Sequence, residues 1–341
     1  MALDLFFIIT GLVVLTLAAD CLVFGACALA RRFGVSPLLI GLTIVAAGTS
    51  APELVVSLQA SFENNPGISV GNVIGSNIFN TAAILGIAAL IRPITVSRAV
   101  IRRDVPVMIV ASVLCLFFAR DGLYSRSESA FFLVLLVVYT GFSYLQSRNT
   151  PDQAPLPQTL PHLVPLTQTG NMSPTLSQPL ATVAAVVKID VPTSQARECG
   201  FLLAGLLGMI LGSKLLLVGA VSVAKQFGLS DEIIGLTLVA AGTSLPELAT
   251  SVMAAWKGES EIAIGNVVGS NIFNILGILG IAGVLLPLQV SPHMLSVDIL
   301  VMVGFAIALV PIMRSGMKVS RFEGALLLLS FLVYNWFLLN H

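Results

Sequence analysis

GLTIVAAGTSAPEL at residues 41–54 returns as GLTLVAAGTSLPEL at 235–248, and GNVIGSNIFN at 71–80 returns as GNVVGSNIFN at 265–274. Residues 41–91 and 235–285 align without a gap at a constant offset of 194, with 29 of 51 positions identical. Each copy sets a glutamate beside a proline inside an otherwise apolar stretch. Ionisable groups at membrane depth are costly and cluster at functional sites, so a duplicated one marks a candidate site.

Composition sets the class. The chain is 56% hydrophobic and 10% charged, with a mean hydropathy of +0.97, where a soluble domain carries about 25% charged residues. This predicts an all-α, polytopic membrane protein in contact with lipid. Net charge is zero, so no basic tail points to nucleic acid and no acidic block to a soluble partner. Cys21, Cys27, Cys115 and Cys199 show no metal-binding spacing and read as small core residues. The start of the chain, MALDLFFIITGLVVLTLAADCLVFGACALARR, lacks a basic head and is too long for a cleavable signal, so it reads as the first span.

Apolar stretches near the roughly 20 residues that cross a bilayer lie near 3–30, 36–62, 68–91, 105–119, 128–147, 200–225, 232–256, 262–286, 294–313 and 322–339. These are ten spans in two units of five, residues 1–147 and 198–341. Between them, residues 148–197 hold eight of the seventeen prolines and read as an extended tether. Loops on the side reached after the first span hold thirteen Lys and Arg residues against three (Arg120, Arg126, Lys225) on the other. This predicts a cytoplasmic linker and both termini outside a cell membrane. Five is odd, so the second unit crosses upside down relative to the first, the inverted repeat of many secondary transporters, with its site near the midplane. The duplication reaches beyond the motifs: LVFGACALARRFGVS matches LLVGAVSVAKQFGLS, and Asp104 matches Asp298.

Within GTSxPE, Pro52 and Pro246 offer no N–H to the carbonyls of Gly48 and Gly242 and push the preceding turn open. Freed carbonyls in hydrocarbon need protein, water or an ion. Beside them stand the hydroxyls of Thr49, Ser50, Thr243 and Ser244 and the carboxylates of Glu53 and Glu247; Thr49 and Glu53, like Thr243 and Glu247, share a helix face. A proline kink with a hydrogen-bonded glutamate explains one copy, whereas two symmetric copies point to a site. In the second motif, Asn72, Ser76 and Asn80 recur at i, i+4, i+8, as do Asn266, Ser270 and Asn274, and the glycines four apart permit close helix approach. Ser76, Asn80, Ser270 and Asn274 are the candidates to complete an oxygen shell.

Oxygen ligands suit hard cations such as Ca²⁺, whereas zinc or copper would call for His or Cys. His162, His293 and His341 fall in the linker, in a loop and at the terminus. Two ionised glutamates give a site of about −2, costly to carry across hydrocarbon unless Ca²⁺, several Na⁺ or two protons neutralise it. A carrier that turns over only when loaded is an antiporter.

GLTIVAAGTSAPEL with GNVIGSNIFN, present twice in inverted halves, resembles the alpha-repeats of the sodium/calcium exchanger family, in its prokaryotic form. The resemblance implies a rigid core of spans 2–5 and 7–10 against which the long spans 1 and 6 slide. It implies that Glu53 and Glu247 bind Ca²⁺ and share Na⁺ with help from Thr49 and Thr243. Backbone oxygens near Ala46 and Ala240, with Ser76 and Ser270, would shape the Na⁺ sites, and Asn80 and Asn274 would complete the centre. Potassium-dependent exchangers, and some prokaryotic members, resemble this motif but carry Asp where this chain has Asn274, and the absence of that third carboxylate argues against K⁺ cotransport. The implied ions are cargo, and no cofactor is expected.

Asp20 and Lys214 occupy equivalent positions in spans 1 and 6, so a salt bridge joining the two helices is a further expectation. Exchange against H⁺, or of another cation, stays open within the transporter class. A channel or an intramembrane enzyme is the reading from another class, but no HExxH, GxSxG or paired catalytic aspartates appear.

Overall fold

A computed structural model of the chain describes residues 2–63, 66–148, 195–226 and 240–340, and these are largely helical. Nearly all of the linker, with His162, lies outside the described residues, as do residues 235–239 at the head of the second motif.

The first unit comprises α1 (Ala2–Phe33), α2 (Pro37–Thr49), α3 (Ala51–Phe62), α4 (Pro66–Ile91), α5 (Val105–Phe118) and α6 (Arg126–Arg148). The second comprises α7 (Gln195–Gln226), α8 (Ala240–Thr243), α9 (Leu245–Lys257), α10 (Ser260–Leu285), α11 (Met294–Arg314) and α12 (Arg321–Asn340). Among the described residues seven helices are long and apolar enough to cross a membrane, and α2 with α3, bent by 43° at their junction, make an eighth. The other two of the ten spans have identifiable reasons to be short. Helix α5 is 14 residues of α-helix extended at its start by a π-helical turn, Val100–Asp104. The span ending in α9 begins in residues that are not described.

Two short ladders show the inversion. Strand β1 (Ile94–Thr95), after the third span of the first unit, pairs antiparallel with β4 (Lys318–Val319), between the fourth and fifth spans of the second. Strand β2 (Leu123–Tyr124) pairs in the same way with β3 (Leu288–Gln289). Successive spans exit on opposite faces, so within one unit the two strand-bearing loops lie on opposite sides. Each pairs with the non-equivalent loop of the other unit, which is possible only if one unit is flipped.

Helices α1 and α7 pack antiparallel along their length. Their backbones approach so closely that a Cβ on Gly11 would lie 2.5 Å from Leu216 N, one on Gly205 2.7 Å from Leu22 N and one on Gly212 2.8 Å from Leu15 N. Small residues at a membrane helix interface permit this approach, and dispersion contacts then hold it. At one end Gln226 Nε2 donates to Asp4 Oδ2 at 2.9 Å, and at the other Arg32 Nε pairs with Glu198 Oε2 at 2.6 Å. Asp4 and Glu198 are repeat equivalents, and so are Arg32 and Gln226. The same two positions therefore fasten the pair at each end.

The expected Asp20–Lys214 bridge does not form. Asp20 pairs instead with Lys257 Nζ at 2.5 Å, at the end of α9. The antiparallel helices cross near residues 16 and 210, and Asp20 and Lys214 lie on opposite sides of that point. About two helical turns, roughly 10 Å, separate them along the axis.

Candidate cation-binding site

Both GTSxPE motifs break their helix at the serine. Ser50 has φ −81 and ψ 8, and Ser244 has φ −89 and ψ 8, outside the helical basin in each case. Pro52 and Pro246 follow in the first turn of α3 and α9, the position where a missing N–H is tolerated. The break turns the serine hydroxyl across the repeat boundary. Ser50 Oγ donates to Glu247 Oε1 at 2.8 Å, and Ser244 Oγ donates to Glu53 Oε1 at 2.9 Å. Glu53 and Glu247, at 0% and 1% exposure, are thus drawn into one buried centre.

The carboxylates retain capacity. Glu53 Oε2 and Glu247 Oε2 are buried and have no hydrogen-bond partner among the described residues, and the same holds for Ser270 Oγ and for the side-chain oxygen and nitrogen of Asn80 and Asn274. Ser76 Oγ lies 3.2 Å from Ser244 Oγ. Buried polar atoms without partners are costly in a native fold. A hard cation taking carboxylate, hydroxyl and amide oxygens would satisfy the oxygens among them. Among the described residues no three His, Cys, Asp or Glu side chains gather to hold a metal, so any such shell draws on hydroxyl, amide and backbone oxygens beside the two carboxylates.

Asn80 and Asn274 sit on π-helical turns, Phe79–Ile84 and Phe273–Leu279. Such a bulge interrupts the regular ladder and often marks a functional position in a helix. Neither turn carries a sequence signal that the motif reading used.

Other sequence-derived residues are already engaged. Thr49 is buried, and its hydroxyl lies 3.2 Å from both Ala46 O and Asn266 Oδ1. Ala46 O also accepts from Ser50 N at 3.0 Å. Thr243 is buried, and Ala240 heads α8.

Asn72 and Asn266, outside the expected oxygen shell, hold the backbone at the glutamates. Asn72 Nδ2 donates to Glu53 O at 3.1 Å and Ser57 Oγ at 2.9 Å; Asn266 Nδ2 donates to Glu247 O at 3.2 Å and Ser251 Oγ at 3.0 Å. The available signal was Ser57 with Ser251, identical across the repeat and one helical turn beyond each glutamate. Helix α7 covers both breaks: a Cβ on Gly48 would strike the Leu206 side chain at 2.5 Å, and one on Gly242 would meet Leu217 at 2.9 Å.

The model of the family described as sodium/calcium exchanger protein matches residues 3–145 and 198–340. The putative antiporter CaxA of Alkalimonas amylolytica is 37% identical over 337 residues, covering 98% of each chain. The sodium/calcium exchanger MaX1 of Methanosarcina acetivorans is 32% identical over 335 residues, covering 96% of each. Among solved structures, the sodium-calcium exchanger NCX_Mj superposes with a TM-score of 0.78 at 30% identity, covering 97% of each chain.

Proposed function

The chain belongs to the sodium/calcium exchanger protein family, and we propose that it exchanges Ca²⁺ for Na⁺ by alternating access at a single centre built on Glu53 and Glu247. That it is a multi-pass membrane protein of an antiporter family follows from the comparisons and from the apolar helices.

The observation that carries the finer reading is the reciprocal hold on the two glutamates. Each Oε1 is fixed by a serine of the opposite repeat, while each Oε2 stays unpartnered in a buried setting. Thr49, Thr243, Ser50, Ser244, Ser76, Ser270, Asn80 and Asn274, with the backbone oxygens of Ala46 and Ala240, supply the surrounding oxygens. A pair of fixed carboxylates about −2 in charge is neutralised by one Ca²⁺ or by replacement Na⁺ ions, and only the neutralised centre crosses an apolar barrier at tolerable cost. Loading with one ion or the other is therefore the condition for turnover, and exchange is the result.

For the moving part, the close α1–α7 packing and its two end clamps support a pair that shifts as one body across the remaining helices. Leu206 and Leu217 of that pair lie on the two breaks, so a shift of α7 would uncover the centre on one face and seal it on the other. Charge placement supports both termini outside and the 148–197 linker in the cytoplasm, joining units 1–147 and 198–341.

The test is ⁴⁵Ca²⁺ uptake into Na⁺-loaded vesicles, with Glu53→Gln and Glu247→Gln as controls. Uptake driven by the Na⁺ gradient and abolished by either substitution is expected. Uptake that ignores Na⁺ and follows a pH gradient would make the counter-ion a proton, and uptake unaffected by both substitutions would remove the proposed centre.

A further inference from the structure

Away from the ion centre, a crevice of about 560 Å³ opens between the start of α5 and the last turns of α6. Arg98, Arg102, Arg103 and Gln146 supply its polar lining, and Pro106 and Phe142 its apolar lining. Arg103 is committed: it donates to both Asp104 oxygens, at 2.7 and 3.0 Å, and to Gln146 Oε1 at 2.9 Å. Asp104 accepts in addition from Tyr139 OH at 3.1 Å, so the wall of the crevice is a fixed network spanning both helices. Arg98 and Arg102, four residues apart on the same helical face, are exposed and add two positive charges that this network does not use.

The repeat provides an internal control. Positions equivalent to Arg98, Arg102 and Arg103 in the second unit are Pro292, Ser296 and Val297, although the aspartate–tyrosine contact recurs there as Tyr334 OH to Asp298 Oδ1 at 2.7 Å. The aspartate–tyrosine contact is thus part of the duplicated architecture, and the arginines are an addition on one face. That face also carries the β1–β4 ladder and the excess of Lys and Arg. Loop topology asks only for positive charge near the span ends. It does not ask for a crevice lined by both guanidinium groups and an apolar phenylalanine and proline.

We propose that this crevice binds an anionic phospholipid of the cytoplasmic leaflet, its phosphate between Arg98 and Arg102 and an acyl chain along Pro106 and Phe142. Guanidinium groups recognise phosphate oxygens by paired hydrogen bonds as well as by charge. Basic pockets between membrane helices at the cytoplasmic boundary suit such headgroups. The apolar wall selects a lipid over free phosphate, because only the lipid covers Phe142 and Pro106. This site is independent of the exchange reading.

The full-length protein in detergent tests this directly. Its thermal midpoint and mass-resolved lipid adducts would be followed with added cardiolipin or phosphatidylglycerol, with phosphatidylcholine, and with inorganic phosphate. Wild type is expected to bind the anionic lipids saturably and to be stabilised by them, with neither phosphatidylcholine nor inorganic phosphate doing so. The pair Arg98→Gln with Arg102→Gln should weaken apparent affinity by at least about ten-fold. A charge-matched pair on the opposite face, Arg120→Gln with Arg126→Gln, should bind as wild type. Equal binding by the Arg98/Arg102 variant, equal weakening in both variants, or stabilisation by inorganic phosphate matching that by lipid would each overturn the proposal.

Discussion

Ser50 Oγ and Glu247 Oε1 lie 2.8 Å apart, and this bond runs between repeats, not within one. Its twin, Ser244 to Glu53 at 2.9 Å, runs the other way. Each half therefore orients the carboxylate that the other half supplies, so neither GTSxPE motif makes its half of the centre alone.

Removing either hydroxyl should act on ion binding. A hydrogen bond to a charged group contributes about 1.5–3 kcal/mol, so Ser50→Ala and Ser244→Ala should each raise the half-saturating Ca²⁺ concentration roughly ten-fold. Concentration-dependent ⁴⁵Ca²⁺ uptake measures this. The two variants should resemble each other, and one silent variant beside one impaired would contradict the reciprocal geometry.

Asn266 carries a second prediction, on stability. Its side chain is fully buried and joins Glu247 O, Ser251 Oγ and Thr49 Oγ1, so Asn266→Ala strands three polar groups on two elements, α9 and α2. A buried group left without its partner costs about 1–3 kcal/mol. The thermal midpoint in detergent should fall clearly, and by more than for Asn72→Ala, whose side chain is only half-buried and open to replacement by water. Equal midpoints would contradict the role given to Asn266.

The repeat, the odd number of spans per unit and the two glutamates were legible in the sequence because each is written in local pattern: hydrophobic run length, loop charge and a proline beside an acid. What the pattern could not show was register between helices. Asn72 and Asn266 bond glutamate carbonyls on a neighbouring helix, and no spacing along their own helix reveals that. Asp20 and Lys214 illustrate the converse. Equivalence in a duplicated sequence was read as proximity, but an antiparallel pair brings equivalents together only where the helices cross. The clamps that do form, Asp4 with Gln226 and Arg32 with Glu198, join non-equivalent positions, one from each end of the first helix of a unit. The π-helical turns at Asn80 and Asn274 left no mark because a single extra residue in a turn alters hydrogen bonding without altering hydrophobicity.

Gly269 tests the packing that brings the two motifs together. A Cβ there would lie 2.6 Å from both the Cα and the carbonyl oxygen of Leu42, backbone atoms in the π-helical turn Gly41–Val45 that leads into the first break. Backbone cannot swing aside, so Gly269→Ala should displace α2 from α10 and cost about 1–3 kcal/mol. Loss of Ca²⁺ uptake and a lower thermal midpoint are expected together. Gly304→Ala is the control, since nothing among the described residues lies within 4 Å of the added carbon. A Gly269→Ala protein as stable and active as the control would show that the close approach is not required.

Asn274 tests the charge argument itself. Its side-chain oxygen and nitrogen are buried without a hydrogen-bond partner among the described residues, so the nearly isosteric Asn274→Asp removes no bond among them and changes mainly the charge of the centre. Three carboxylates give about −3, which one Ca²⁺ leaves at about −1, and a centre with residual charge crosses an apolar barrier poorly. Exchange of Ca²⁺ for Na⁺ in choline-based medium should therefore slow markedly. Added K⁺ should restore part of the rate, because one further monovalent cation completes neutralisation. ⁴⁵Ca²⁺ uptake by Asn274→Asp vesicles, compared with and without K⁺, separates the cases. A rate equal to wild type in both media would mean that net charge at the centre does not govern turnover. A slow rate that no monovalent cation improves would mean that the added carboxylate disturbs ion coordination instead.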